Sequence, residues 1–236
     1  MTEPVSRYFA LRDREIHVSQ WGTPDKPALI MWHGLARTGR DFDTIARALR
    51  DQYFILAPDT LGRGLSQWAD DPSSEYRLDN FGAMAMELLD QLGISTCRWI
   101  GTSMGGAVGI RLAGGPMRGR ISHLVINDIG PEIPTTAVER ISTYVGNPPV
   151  FDTIRELEAW LRAVYAPFGP LSDAEWRAMA DSSARRTDEG KVTVHYDPAI
   201  VAQFDAANDV GDQWSDFDAI TAPMLLIRGA ESDLLS

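Results

Sequence analysis

The 236-residue sequence contains a single cysteine, Cys97. A lone cysteine excludes an internal disulfide and any cysteine-based metal site. Long hydrophobic runs are missing as well, since none reaches the roughly 18 residues that a membrane span requires. Basic charge is scarce: 22 Lys and Arg stand against 33 Asp and Glu, a net charge of −11. With the acidic residues scattered and no basic cluster, neither nucleic acid nor an anionic membrane is expected as a partner, because both bind clustered Lys and Arg. The opening MTEPVSRYFA has neither the basic stretch nor the apolar core of a signal peptide, so a cytoplasmic location is expected. What is present is 44% hydrophobic and 23% charged, the composition of a soluble globular chain long enough for one large domain, or one carrying an insertion.

The apolar pattern supplies the organisation. REIHVSQW (14–21) alternates as a strand does, and ALIMWHG (28–34) and YFILAP (53–58) are short buried-strand runs closed by glycine and proline. Helical spacing runs from Arg40 to Arg50 and again from Leu78 to Leu92, where Gly93 supplies the stop. CRWIG (97–101) and HLVIND (123–128) are further strands, with small residues between them that open a helix. Strands buried on both faces and alternating with helices imply a mostly parallel sheet covered by helices. The rhythm breaks at Gly130–Pro131, and residues 133–215 show helical stretches (151–165, 172–185, 199–207) with no buried-strand run. APMLLIRGAESD (222–233) restores the buried-strand pattern. The expected organisation is a core of residues 1–132 and 216–236, interrupted by a helical cap at 133–215.

Three pieces of this core carry chemistry. Gly101-Thr102-Ser103-Met104-Gly105 fits G-x-S-x-G, a pattern that chance produces roughly 0.1 times in such a chain, so context decides its weight. Here it follows an expected strand and opens an expected helix, the setting of a nucleophile elbow. A serine on so tight a turn takes strained backbone angles, and a Cβ at Gly101 or Gly105 would collide with adjacent backbone. His33-Gly34-Leu35 ends the earlier buried strand, so the N–H groups of Leu35 and Met104 are candidates for an oxyanion hole. Asp233 lies just beyond the last strand, where a carboxylate orients a catalytic histidine. Asp128, after the preceding strand, is the fallback acid.

Together with the loop DTLGRGLS (59–66), these segments (WHGLART, GTSMGG, VINDIGP and LLIRGAESD) resemble the α/β-hydrolase superfamily. The resemblance implies hydrolysis through an acyl-enzyme formed on Ser103, on an α/β-hydrolase fold with a variable cap between VINDIGP and the last strand. It implies no metal and no organic cofactor. Ser rather than Asp at position 103 sets the chain apart from the superfamily's dehalogenase and epoxide-hydrolase branches.

The superfamily places its histidine after the acid, beyond one further strand, and only Leu234, Leu235 and Ser236 follow Asp233. The last strand, that loop and the last helix are therefore expected to be missing from the sequence, with the base past residue 236. His33 belongs to the oxyanion loop, His17 lies in an early strand, and His123 starts the strand leading to Asp128; His195, in the insert, is the least implausible substitute. Arg63 and Ser66 are expected to stabilise their turn, Asp59 to be structural, and Trp160, Tyr165 and Trp176 to pack in the cap, with some of the three facing the site.

The expected function is cleavage of a small, fairly apolar ester or lactone, since the apolar insert and acidic surface disfavour a polyanion. The alternatives are a C–C bond hydrolase of ring-cleavage diketones, which uses the same triad, and a non-catalytic ligand receptor on the same fold. The partner is a small molecule, and the sequence assigns no oligomeric state.

Overall fold

A computed structural model of the chain describes residues 3–204, 212–232 and 234–235. Its backbone forms a seven-stranded sheet in the order β1-β2-β4-β3-β5-β6-β9. β1 (Val5–Leu11) and β2 (Arg14–Trp21) form an antiparallel hairpin, and β2 runs antiparallel to β4 (Phe54–Pro58). The hairpin loop is Arg12 and Asp13, both at positive φ (53° and 61°), the conformation a two-residue type I′ turn requires. From β4 onward every pairing is parallel, through β3 (Ala28–Trp32), β5 (Cys97–Thr102), β6 (Ile121–Asn127) and β9 (Met224–Ile227).

The central strands read as unbroken apolar runs because both of their faces are covered. Leu29, Met31, Ile55 and Ala57 pack beneath α1 (Asp43–Leu49) with Phe42 and Ala46. Ile30, Trp32, Leu56 and Trp99 point the other way, toward α3 (Leu78–Gln91) and α4 (Met104–Gly114), as the two-residue period of a strand dictates. α3 ends at Gly93, whose φ of 68° takes the chain out of the helix. The short helix α2 (Pro72–Glu75) precedes it, started by the Asp71 side chain accepting from the Ser73 N–H.

Between β6 and β9 lie α5 (Thr135–Val145), α6 (Ile154–Val164), α7 (Asp173–Ser183) and α8 (Trp214–Ala219). α6 and α7 each open with a full capping box, Thr153 with Glu156 and Ser172 with Glu175. α8 packs on α4 of the core, where Arg111 pairs with Asp216 at 2.8 Å and Gly114 lies against the Asp216 backbone.

Three expectations need correction here. The segment is not purely helical: β7 (Ala184–Arg186) and β8 (Val192–Val194) form a hairpin, and all three residues of β8 are buried. Three residues flanked by polar ones are too short a run to register as a buried strand. The stretch from Pro198 to Phe204 is a 3₁₀ helix rather than an α-helix, and residues 205–207 of the expected helix lie outside the described residues. The strand at Met224–Ile227 is not buried; all four of its side chains are exposed. Its sequence is that of a covered strand, but it forms the sheet's edge, paired with β6 alone among the described residues. No described helix is long and apolar enough to cross a membrane.

Candidate active site

Ser103 sits between β5 and α4, at φ 50° and ψ −117°. A serine rarely adopts positive φ, and it holds here because the surroundings over-determine the turn. The Ser103 N–H donates to the Asn127 carbonyl, while the Ser103 carbonyl accepts from the Gly106 and Ala107 N–H groups. A Cβ on Gly101 would lie 2.1 Å from the Gly105 carbonyl oxygen, and one on Gly105 would lie 2.0 Å from that of Trp32. Gly34 is different, because a Cβ there would meet the Ser103 Cβ at 3.6 Å, an ordinary contact.

The turn is also tied from below. Trp32 and Trp99 stack with ring centroids 5.4 Å apart, and the Trp99 indole N–H donates to the Gly105 carbonyl. Trp32 donates to the Thr60 hydroxyl. Neither indole stood out in the sequence; the usable signal was a tryptophan within each of two apolar strand runs, since a buried indole N–H demands an acceptor.

His33 is fully buried and arranges the loop that follows β3. The Thr60 N–H donates to His33 Nε2, so that nitrogen is an acceptor and the proton sits on Nδ1. Nδ1 donates to the Gly34 carbonyl at 2.7 Å, and the Arg37 N–H donates to the same oxygen. Burial, only partly offset by the charge of Asp59, pushes His33 down to about 4 and keeps it neutral. Arg63, also fully buried, donates from Nε to the Leu35 carbonyl and from Nη1 to that of Leu61. Met104 opens α4, so its N–H has no carbonyl one turn back to bond and lies in the positive end of the helix dipole.

The remaining expected residues separate clearly. Asp59 accepts from His17 Nδ1 and from the N–H groups of Gly39 and Leu65. Burial pushes its carboxyl up, but those hydrogen bonds outweigh burial and hold it below the usual carboxylate range. His17 Nε2 is bonded to Ser6. Ser66 donates to the Asp59 carbonyl and accepts from the His17 N–H. His123 is exposed, and the ring of His195, pushed down by burial, makes no hydrogen bond to Ser103. Asp128, at φ 56°, accepts from the Gly229 N–H and the Ser232 hydroxyl, so both of its oxygens grip the loop that leads to Asp233. Asp233 itself lies outside the described residues.

A small cavity opens over Ser103. Leu35, Leu78, Met104, Ala107, Ile129, Ile133, Ile141 and Phe204 give it an apolar wall, and Gln203 is the second polar side chain. Trp160, Tyr165 and Trp176 do not line it: Trp160 packs on Phe151, Tyr165 stacks on Phe168 beside Arg37, and Trp176 lies under Arg162. Among the described residues no cluster of His, Cys, Asp and Glu could hold a metal ion.

The sequence model of the alpha/beta hydrolase fold matches residues 27–166, more than half of the chain. The chain belongs to the α/β-hydrolase fold family. This α/β-hydrolase is 38% identical over 226 residues to a 3-hydroxybutyrate-oligomer hydrolase of Cupriavidus necator, an alignment covering 92% of this chain and 76% of that protein. It is 26% identical to an esterase of Mycobacterium tuberculosis, covering 99% and 76%. Among solved structures, an alpha/beta hydrolase of Novosphingobium aromaticivorans superposes with a TM-score of 0.88 at 33% identity, covering 100% of this chain and 85% of that one. These relatives are hydrolases by name, and this α/β-hydrolase shares their family.

Proposed function

We propose that this α/β-hydrolase is a serine hydrolase that cleaves small, fairly apolar carboxylic esters or lactones, with Ser103 as nucleophile and the insert between β6 and β9 as a cap. The observation that carries the reading is the Ser103 turn itself: a serine held at φ 50° at the N-terminus of a helix, under an apolar cavity and beside a pinned oxyanion loop. The names of the relatives support ester chemistry.

In this reading the Ser103 hydroxyl attacks the ester carbonyl carbon. The Leu35 and Met104 N–H groups hold the oxyanion, and collapse of the intermediate expels the alcohol and leaves an acyl-serine that water hydrolyses. Asp233 is the acid, on a loop that Asp128 braces from the side. In the order of the α/β-hydrolase family the base is a histidine that follows the acid. The histidines of this sequence do not fill the role: His17 is engaged with Asp59 and Ser6, His33 with Thr60 and Gly34, His123 is exposed, and His195 makes no bond to Ser103.

Chemical rescue tests this. Added imidazole is expected to stimulate p-nitrophenyl butyrate cleavage by the chain, and Ser103→Ala to abolish the stimulated rate. Stimulation that Ser103→Ala leaves unchanged would overturn the assignment of the nucleophile. Rapid cleavage without imidazole, surviving both His195→Ala and His33→Ala, would overturn the assignment of the base.

A further inference from the structure

The cavity over Ser103 holds one polar side chain that the proposed chemistry does not use, Gln203. Gln203 is 2% exposed. Its Oε1 accepts from Nη2 of Arg63. A guanidinium only donates, so the amide cannot be turned around: its oxygen takes the Arg63 Nη2 donor, which also lies 3.6 Å from the Met104 sulfur. Nε2 meets the Met104 sulfur at 3.6 Å, a thioether and a weak acceptor. Among the described residues no oxygen accepts from this NH₂ group, although buried amide donors are nearly always paired with one.

Arg63 holds the amide rigidly. Its Nε and Nη1 are fixed on the Leu35 and Leu61 carbonyls, and its guanidinium lies 5.3 Å from the ring centroids of both Tyr76 and Phe81. A free glutamine would turn toward water or toward the best acceptor nearby. This one cannot, so its donor stays at a set place beside the Met104 sulfur, in a cavity lined by apolar side chains and Ser103.

We propose that Gln203 Nε2 is the donor that selects the acyl group: it binds an acceptor oxygen, a second carbonyl or ester oxygen, carried on the acyl chain near the scissile ester. The preferred substrates are then esters of oxygenated acyl chains rather than of plain alkanoic acids. An alkyl chain in that position keeps the amide donor buried without an oxygen, which lowers affinity about tenfold. The proposal rests on the cavity over Ser103 being the substrate site.

Binding to the Ser103→Ala chain tests it without depending on turnover, using ethyl 3-oxohexanoate and ethyl hexanoate as a matched pair followed by ligand-detected NMR. The oxo ester is expected to bind about tenfold more tightly. Gln203→Glu, added to Ser103→Ala, keeps an oxygen for Arg63 but removes the donor; Gln203→Met removes both while keeping the volume. Each is expected to abolish the preference, and a merely structural Gln203 would leave it intact in the Glu variant. No preference in the parent, or a preference unchanged in both variants, overturns the proposal. Failure of both esters to bind overturns the reading of the cavity as a substrate site, and the proposal with it.

Discussion

His33 Nδ1 lies 2.7 Å from the carbonyl oxygen of Gly34, and this contact aims the N–H of the next residue. The chain has no cis peptide bond among its described residues, so the Leu35 N–H points opposite to the Gly34 carbonyl. A histidine that donates no proton to substrate thereby orients a group of the proposed oxyanion hole. It does so only while neutral, because a proton on Nε2 would face the Thr60 N–H that now donates to it.

This gives a pH dependence with a definite sign. Above 6.5, the ordinary value, His33 is neutral in both the folded and the unfolded chain and contributes nothing. Below it the unfolded chain takes up a proton that the folded chain refuses down to about 4. Stability is therefore expected to fall by about 3 kcal/mol as pH drops through that window. Urea unfolding across the window checks this, and His33→Gln, which can still accept from Thr60, is expected to flatten the slope.

Two glycines of the site are expected to behave oppositely. In Gly105→Ala the new methyl meets the Trp32 carbonyl oxygen at 2.0 Å, with backbone on both sides unable to yield. We expect a loss of about 3 kcal/mol, or roughly 10 °C in thermal denaturation. Gly34→Ala is expected to melt close to the parent, since its methyl finds only ordinary contacts. That methyl sits against Ser103, however, so imidazole-rescued ester cleavage is expected to fall while stability holds.

Asp128 separates a brace from a catalytic acid. Asp128→Ala removes the acceptor for Gly229 and Ser232 and puts alanine at φ 56°, and is expected to cost about 2 kcal/mol in urea unfolding. Asp128→Asn keeps an acceptor oxygen and tolerates the backbone, so rescued cleavage should stay within a few-fold of the parent. A large drop in rescued cleavage at unchanged stability would instead give Asp128 a part in the chemistry.

Cys97 is buried in β5, and burial pushes its thiol up to about 12. The folded chain is expected to show no reactive thiol toward a disulfide reagent at about pH 8, and the denatured chain to show one.

Much of the core was legible in the sequence. The buried strands at 28–34, 53–58 and 97–101 and the helix from Leu78 stood out because both sheet faces are covered and the period of α3 is regular. The Ser103 turn was legible because its requirements are local, with Gly101 and Gly105 two residues to either side. α5 and the β7–β8 hairpin escaped notice because polar residues interrupt their apolar ones, and β1 because Ser6 and Arg7 break its run. The apolar run of β9 reads as a covered strand, whereas its four side chains are exposed where it pairs with β6 alone among the described residues.

By itself, then, the sequence determined the sheet's central strands and the strained serine turn, because steric exclusion within a few residues and two-residue periodicity act locally. Tertiary structure alone decided what surrounds them. The Arg63–Gln203 bond joins residues 140 apart, and the Trp99 indole reaches the Gly105 carbonyl from beneath the turn. Whether a buried donor finds an oxygen, a sulfur or nothing depends on which distant side chains packing brings beside it, and no local pattern in the sequence encodes that.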